Sequence, residues 1–504
     1  MDAVAKSLLA SVLLAFSLSA GKSAVAAEPL TLWGAMERAA QSNPALRSQQ
    51  AEIARQALEQ DIARGRRFPQ VDLDASYLHH AYPTTITPIR AAGVFPPLDR
   101  DIASVGVALN LPLYAGGKLV AGEALAAHNR EAAVQALRAG GQDLLFNVAA
   151  TYTKALHFRQ LAKVLDTRIT ALQREEHDIE LRIREGRAAR LELIRLQTQL
   201  SQARYDRLSV AQGEQDALTL LAAFLGDASL RPALAEPGAT APALPGSAEE
   251  AMDRALRQRP DLLKLDAAGK AAQQKTAIAR GDRLPQVNLV AKAQETAGGD
   301  WQGYDDWQVG VQFSLPVFDG NVRKRRVEQA GLEQRQNALQ QDDARNRVAS
   351  EVGQAFGALT ESTDRLHVAA QGEKEAAEAL RIETLRYHGG ENTITDLLGA
   401  ESALWNATAS RLQAGYDIVV SQARLLRATG ELAPDSFRPV PPGADAGGSA
   451  SGPSPDPAGQ YLAWHPCRMP CGDETSGADS AAAKPQDSAA PRFMPRPVQQ
   501  GASQ

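Results

Sequence analysis

Cysteine is almost missing from this chain. Among 504 residues there are two, Cys467 and Cys471, both near the C-terminus, so no disulfide framework holds the main body together. An excess of basic charge is missing as well. Lys and Arg number 54 against 59 Asp and Glu, a net charge of −5, which excludes a surface built to hold nucleic acid. Long apolar runs are missing beyond the first 26 residues, so no later segment reaches the roughly 18 residues of a spanning helix. If the mature chain crosses lipid, it must do so as a closed β-barrel. No GxSxG, HExxH or P-loop pattern occurs, and the eight histidines are scattered apart from His79-His80. A non-enzyme without a cofactor is expected. Proline, 28 in all, is absent between Pro112 and Pro232 and again between Pro316 and Pro434. Those two stretches are free to be helical.

The segments that are present begin with a leader. Lys6 precedes an apolar run from Leu8 to Ala20, and Ala24-Val25-Ala26 supplies small residues for cleavage. Residues 1–26 read as a secretory signal. Read as a membrane anchor, the run is too short. No cysteine near the cleavage point offers a lipid attachment site.

The mature chain is a duplication. Pro44 and Pro260 are 216 residues apart, and IARGRRFPQVDL (Ile62–Leu73) recurs at that offset as IARGDRLPQVNL (Ile278–Leu289). Later landmarks repeat 204 apart: Pro112 with Pro316, Gly186 with Gly390, Gly226 with Gly430. The first copy therefore carries extra residues, placed between Tyr77 and Asp101, where Pro83, Pro88, Pro96 and Pro97 cluster. The copies span 27–246 and 247–432.

Each copy contains one β-hairpin. Val71, Leu73, Ala75 and Tyr77 alternate with Asp72, Asp74 and Ser76, and Val105, Val107, Leu109 and Leu111 form the return strand. Val287, Leu289 and Ala291, then Trp307, Val309, Val311, Phe313 and Leu315, repeat the pattern. Period-two alternation marks a sheet with unlike faces. Such a sheet either covers a soluble core or forms a barrel with lipid outside and water inside. Tyr77, Tyr82, Trp301, Tyr304 and Trp307 gather at the hairpin tips, the place for an interfacial aromatic girdle. Four strands are too few to close a barrel, so closure requires an oligomer.

Apolar residues from Leu144 to Leu172 recur at helical spacing, and a helix from about Lys118 to Gly186 would be on the order of 100 Å long. Gly186 and Gly390 then mark tight turns that send the chain back as a second helix. From about Ala433 to Gln504 the chain is rich in Pro, Gly, Ala and Ser, without periodicity, and is expected to be disordered. Within it, His465, Cys467 and Cys471 leave two readings open. One is a metal site; the other, favoured by an oxidising compartment, is a local disulfide.

PQVDL and PQVNL opening a strand, LPLYAGG and LPVFDGN closing one, and paired glycine tips, in order and twice, resemble the TolC family of outer-membrane efflux proteins. The resemblance covers about Leu30 to Leu432. It implies an α+β membrane protein: a homotrimeric barrel of about twelve strands, four from each protomer, continued by a long α-helical periplasmic tunnel. It implies contact with outer-membrane lipid, a periplasmic adaptor and an inner-membrane pump, and passive conduction of small compounds or polypeptides. Gly186 and Gly390 would meet the pump and adaptor. The match of YHGGENTITDLLGAE to the gate segment implies that Asp396, Tyr387, Glu192 and Asn392 sit at the periplasmic gate. Asn392 stands where the family usually has Arg, and Gly399 where it often has a second Asp, so the gate should be wired differently. Asp396 also reads as a helix cap with Thr393. The rival to a channel is a pore-free periplasmic coiled-coil adaptor.

Overall fold

Each of the two proline-free stretches, rich in Ala and Leu, runs as a pair of helices joined at a glycine tip. The computed structural model describes residues 29–236 and 242–439. Its order is α1 Leu32–Ser42, α2 Pro44–Gly65, β1 Gln70–Thr85, β2 Leu98–Tyr114, α3 Lys118–Arg184, α4 Arg190–Phe224, α5 Ala248–Gln258, α6 Pro260–Gly281, β3 Gln286–Ala297, β4 Gly303–Ser314, α7 Val322–His388 and α8 Ile394–Thr429. A 3-10 turn at Pro434–Phe437 follows. The copies match element by element: α1 and α5 have 11 residues each, α2 and α6 have 22, and α3 and α7 have 67. Among the described residues no helix is long and apolar enough to cross a membrane.

Local chemistry sets the helix starts. Thr31 and Ser247 accept from the backbone N–H of Gly34 at 3.0 Å and Glu250 at 3.1 Å. Pro44 and Pro260 open the next helices, where a missing N–H costs nothing. The two hairpins join into one antiparallel sheet of order β1-β2-β3-β4.

The core lies midway along the long helices. Ala35, Met36 and Ala39 of α1 pack on Leu145, Val148, Ala149 and Tyr152 of α3, with Leu221 of α4 and Leu426 of α8. Ala251 and Ala255 of α5 pack in the same manner on Val348 and Val352 of α7. Alanines let the short helices approach closely. A separate apolar cluster, including Leu172, Ile179, Leu196, Tyr387, Ile394 and Leu397, joins the α3–α4 and α7–α8 hairpins near their tips.

One expectation needs correction. The segment from Ala433 does not become irregular at once. Phe437 is buried in the central core, the Trp33 indole donates to Asp435 at 3.2 Å, and the Arg438 guanidinium lies 5.5 Å from the Trp33 ring centre. Phe437 closes the end of the core beside α1, which a disordered tail starting at Ala433 would leave open. The signal segment 1–26, the tail from 440 onward and its Cys467 and Cys471 lie outside the described residues.

Gly430 has φ +82°, and a Cβ there would come within 2.9 Å of the Arg259 backbone; Gly186 has φ +72° with open space around it. Gly186→Ala should therefore cost only left-handed strain, about 1–2 kcal/mol. Gly430→Ala should cost clearly more, because two backbones must part. Thermal denaturation of the two variants side by side checks the order.

Candidate functional site

The sheet sorts its side chains by register. Directly paired residues share a face. On one face the rows run Leu111, Leu289, Val311; then Val71, Leu109, Ala291, Val309; then Leu73, Val107, Ala293, Trp307. On the other they run Gln70, Asn110, Val290, Gly310; then Asp72, Ala108, Lys292, Gln308; then Asp74, Gly106, Gln294, Asp306. From Phe313 to Trp307 the apolar rows cover on the order of 20 Å of strand, close to the height of a barrel's lipid-facing band. Leu73, Trp307 and Phe313 stand 74%, 72% and 64% exposed on the chain by itself. The edge strands β1 and β4 carry unpaired backbone groups.

The aromatic residues divide. Tyr77 and Trp307 sit on the apolar face, and the Tyr77 hydroxyl donates to Asp101 at 2.7 Å. Trp301 is exposed at the β3–β4 turn with φ +56°. Tyr82 is exposed within the irregularity between His79 and Thr84. Tyr304 departs from the expected girdle. It pairs with Thr296, which pairs with Ser104, on the polar face. The reason is parity, since Tyr304 and Trp307 are three residues apart on one strand and must point to opposite sides.

At the far end both hairpin tips are built alike. Gly186 and Gly390 adopt φ +72° and +77°. Arg187 N–H returns to the Arg182 carbonyl at 2.7 Å, and Glu391 N–H to that of Arg386 at 2.9 Å, the pattern by which a left-handed glycine ends a helix. The next helix then starts with an acid at its third position, Glu192 on α4 and Asp396 on α8.

These two acids occupy equivalent places in the duplication and do different things. Asp396 is exposed and caps its own helix. Its carboxylate accepts from the Thr393 hydroxyl at 2.6 Å and the Thr393 N–H at 3.1 Å, bonds that hold its pKa below the ordinary aspartate value. Glu192 accepts from Ala189 N–H at 3.3 Å and, with its other oxygen, from the Tyr387 hydroxyl of α7 at 3.2 Å. Burial, followed by the charge of Glu192, pushes the Tyr387 phenol up to about 12, so it is a proton donor at any physiological pH. Asn392 turns back to Glu383 within its own hairpin. The structure thus brings Glu192 and Tyr387 together, and leaves Asp396 and Asn392 apart from that pair.

Sequence reasoning passed over three cross-hairpin residues. Arg195 of α4 donates to the Thr395 hydroxyl at 2.5 Å. Arg182 of α3 stacks on Tyr387, 5.1 Å from the ring centre, and meets His388 Nδ1 at 2.8 Å. Farther from the tip, Arg168 of α3 lies over Trp405 of α8 at 5.7 Å and donates to Gln199 and Ser402. The repeat could have flagged Arg182, which has Arg386 as its counterpart 204 residues on. Among the described residues no cluster suited to a metal ion occurs.

Comparison with known proteins places this geometry. The family model described as "Outer membrane efflux protein" matches residues 35–227 and 251–431. The outer membrane efflux protein BepC of Brucella suis biovar 1 is 26% identical over 85% of this chain and 91% of its own length. The outer membrane protein TolC of Escherichia coli K12 is 23% identical over 84% of this chain and 86% of its own. The crystal structure of the outer membrane protein VceC from Vibrio cholerae superposes with a TM-score of 0.68 at 20% identity, covering 79% of this chain and 96% of that one.

The depressed Asp396 pKa fixes a sign. The cap stabilises α8 above the ordinary aspartate range and is lost as pH falls through the lowered value. Asp396→Ala should speed amide exchange over 394–398 at pH 7. The difference from the unmodified chain should close once pH falls well below the ordinary aspartate range. A difference that persists in acid would show that capping by the carboxylate is not its role.

Proposed function

This chain belongs to the outer membrane efflux protein family, and from that premise we propose that three copies close one barrel of about twelve strands and extend it as a helical conduit through the periplasm. The chain is a TolC-like channel of the outer membrane, and its role is efflux. The observation that carries the trimer is the sheet. It has four strands, two open edges and an uncovered apolar face. Only pairing β4 of one copy with β1 of the next satisfies the edges in hydrocarbon. A pore-free adaptor has no use for such a face.

The two faces assign the surroundings. Leu73, Val107, Val309 and Trp307 meet lipid, with Tyr77 and Trp307 toward its outer boundary. Asp72, Asp74, Lys292 and Asp306 line water, more acidic than basic, so the lumen favours cations. At the far end the glycine tips present Gly186 and Gly390 to a periplasmic adaptor and an inner-membrane pump. Both tips stand in open space, which supports that reading. The pump supplies the energy and the conduit is passive. The Glu192–Tyr387 bond ties the two hairpins in the resting, closed state. Asp396 starts the helix beside it and adds negative charge at the entrance.

Planar-bilayer conductance, with oligomer mass measured on the same detergent-purified sample, tests this. The unmodified protein should be a trimer giving small, long-lived steps. Val309→Arg should impair insertion by placing a charge deep in lipid. Lys292→Glu should insert normally and raise cation preference. Insertion of Val309→Arg with failure of Lys292→Glu would reverse the assignment of the faces.

Removing the gate tie provides a second check. Tyr387→Phe and Glu192→Gln should each raise resting conductance several-fold while the trimer persists. Conductance equal to that of the unmodified channel in both would show that the bond does not hold the entrance shut.

A further inference from the structure

The last turn of α3 carries a contact that the gate pair does not explain. Arg182 leaves its own hairpin and grips the end of α7 in two ways. Its guanidinium stacks on the Tyr387 ring at 5.1 Å, and its Nη2 lies 2.8 Å from Nδ1 of His388. Arg386, the same position in the second copy, stays at home beside Glu383 at 3.8 Å. Asn392 also turns to Glu383, so neither second-copy residue reaches across. The cation linking the hairpins at this level comes from the first copy.

A guanidinium is a donor only. The bond to His388 therefore needs a lone pair on Nδ1, with the ring proton on Nε2. An imidazolium carries hydrogen on both nitrogens and has nothing to accept with. It would also set a second positive charge beside Arg182. The other charged groups here reinforce the contrast. Glu175 of α3 lies within electrostatic reach of both His388 and Arg182, but burial raises its pKa above the ordinary glutamate value, so it gives up its charge early as pH falls. Glu192 of α4 is engaged by Tyr387. Asp396 of α8 is held in its cap, and on α7 itself Arg386 is paired with Glu383. A protonated His388 is repelled by Arg182.

We propose that Arg182 is the clasp of the closed periplasmic end, and that its grip is conditional on His388 being uncharged, so that acid loosens the two hairpins. This rests on the reading of the tips as the gate. Arg182 is a positioning residue: it holds the Tyr387 ring against Glu192 and fixes the end of α7 through His388. Losing its charge-assisted bond should cost about tenfold in closed-state population.

The experiment is single-channel recording of the full mature trimer between pH 5 and 8. Arg182→Gln should raise open probability at pH 8 by about tenfold. Arg182→Lys should recover only part of the closure, because an ammonium cannot stack and fork together. The unmodified channel should open more at pH 5 than at pH 8, and His388→Gln should show a ratio between the two close to one. His388→Lys should be open at both. If Arg182→Gln stays closed while Tyr387→Phe opens, the clasp is wrong and the gate reading stands. If neither opens, the gate reading itself fails. If His388→Gln keeps the acid response, the dependence on an uncharged imidazole is wrong.

Discussion

Hydrocarbon gives an unpaired peptide group no partner, and this constraint shapes the whole chain. Four strands leave two edges open, and neither edge can be satisfied within one copy. The sheet's alternation follows from the same source. One face must dissolve in lipid and the other in water, so each strand reads apolar and polar by turns. The long helices answer a different need. They satisfy their own backbones and so can leave the membrane as isolated elements, provided something packs them into a wall. The short helices α1 and α5 supply that packing at mid-length through small side chains.

Duplication provides two of everything, and the functional asymmetry arises where the copies diverge. Glu192 and Asp396 begin equivalent helices. A glutamate is one methylene longer, and it reaches from its cap to Tyr387 while Asp396 stays local. Arg182 and Arg386 end equivalent helices, and only the first crosses to the other hairpin. In each pair, the first-copy residue faces across and the second serves its own hairpin. The two tips thus differ by single side chains while the fold that carries them is the same.

Much of this was legible in the sequence because it depends on period and spacing. The alternation around Leu73 and Val309, the proline-free stretches and the glycines at the tips each have a local cause. The place of Tyr304 was legible too, by counting three residues to Trp307, but proximity to the tip masked parity. The buried turn at Pro434–Phe437 was hidden by its neighbours, since one phenylalanine in a Pro- and Gly-rich context carries no period. The partners of Arg182 were out of reach. They follow from which helices of two distant hairpins lie side by side, and no local pattern encodes that.

The length of α3 and α7 has a mechanical consequence. Each is one unbroken rod held near its middle, around Val148 and Val352. From Val148 to the tip, past the apolar cluster that joins the hairpins there, the arm is on the order of 50 Å. A tilt of about 5° about that fulcrum moves the tip by about 5 Å, more than the reach of any hydrogen bond that holds it. The packed middle barely shifts while the end travels. Leverage thus turns a small change in helix packing at mid-length into a large displacement of the hairpin tip.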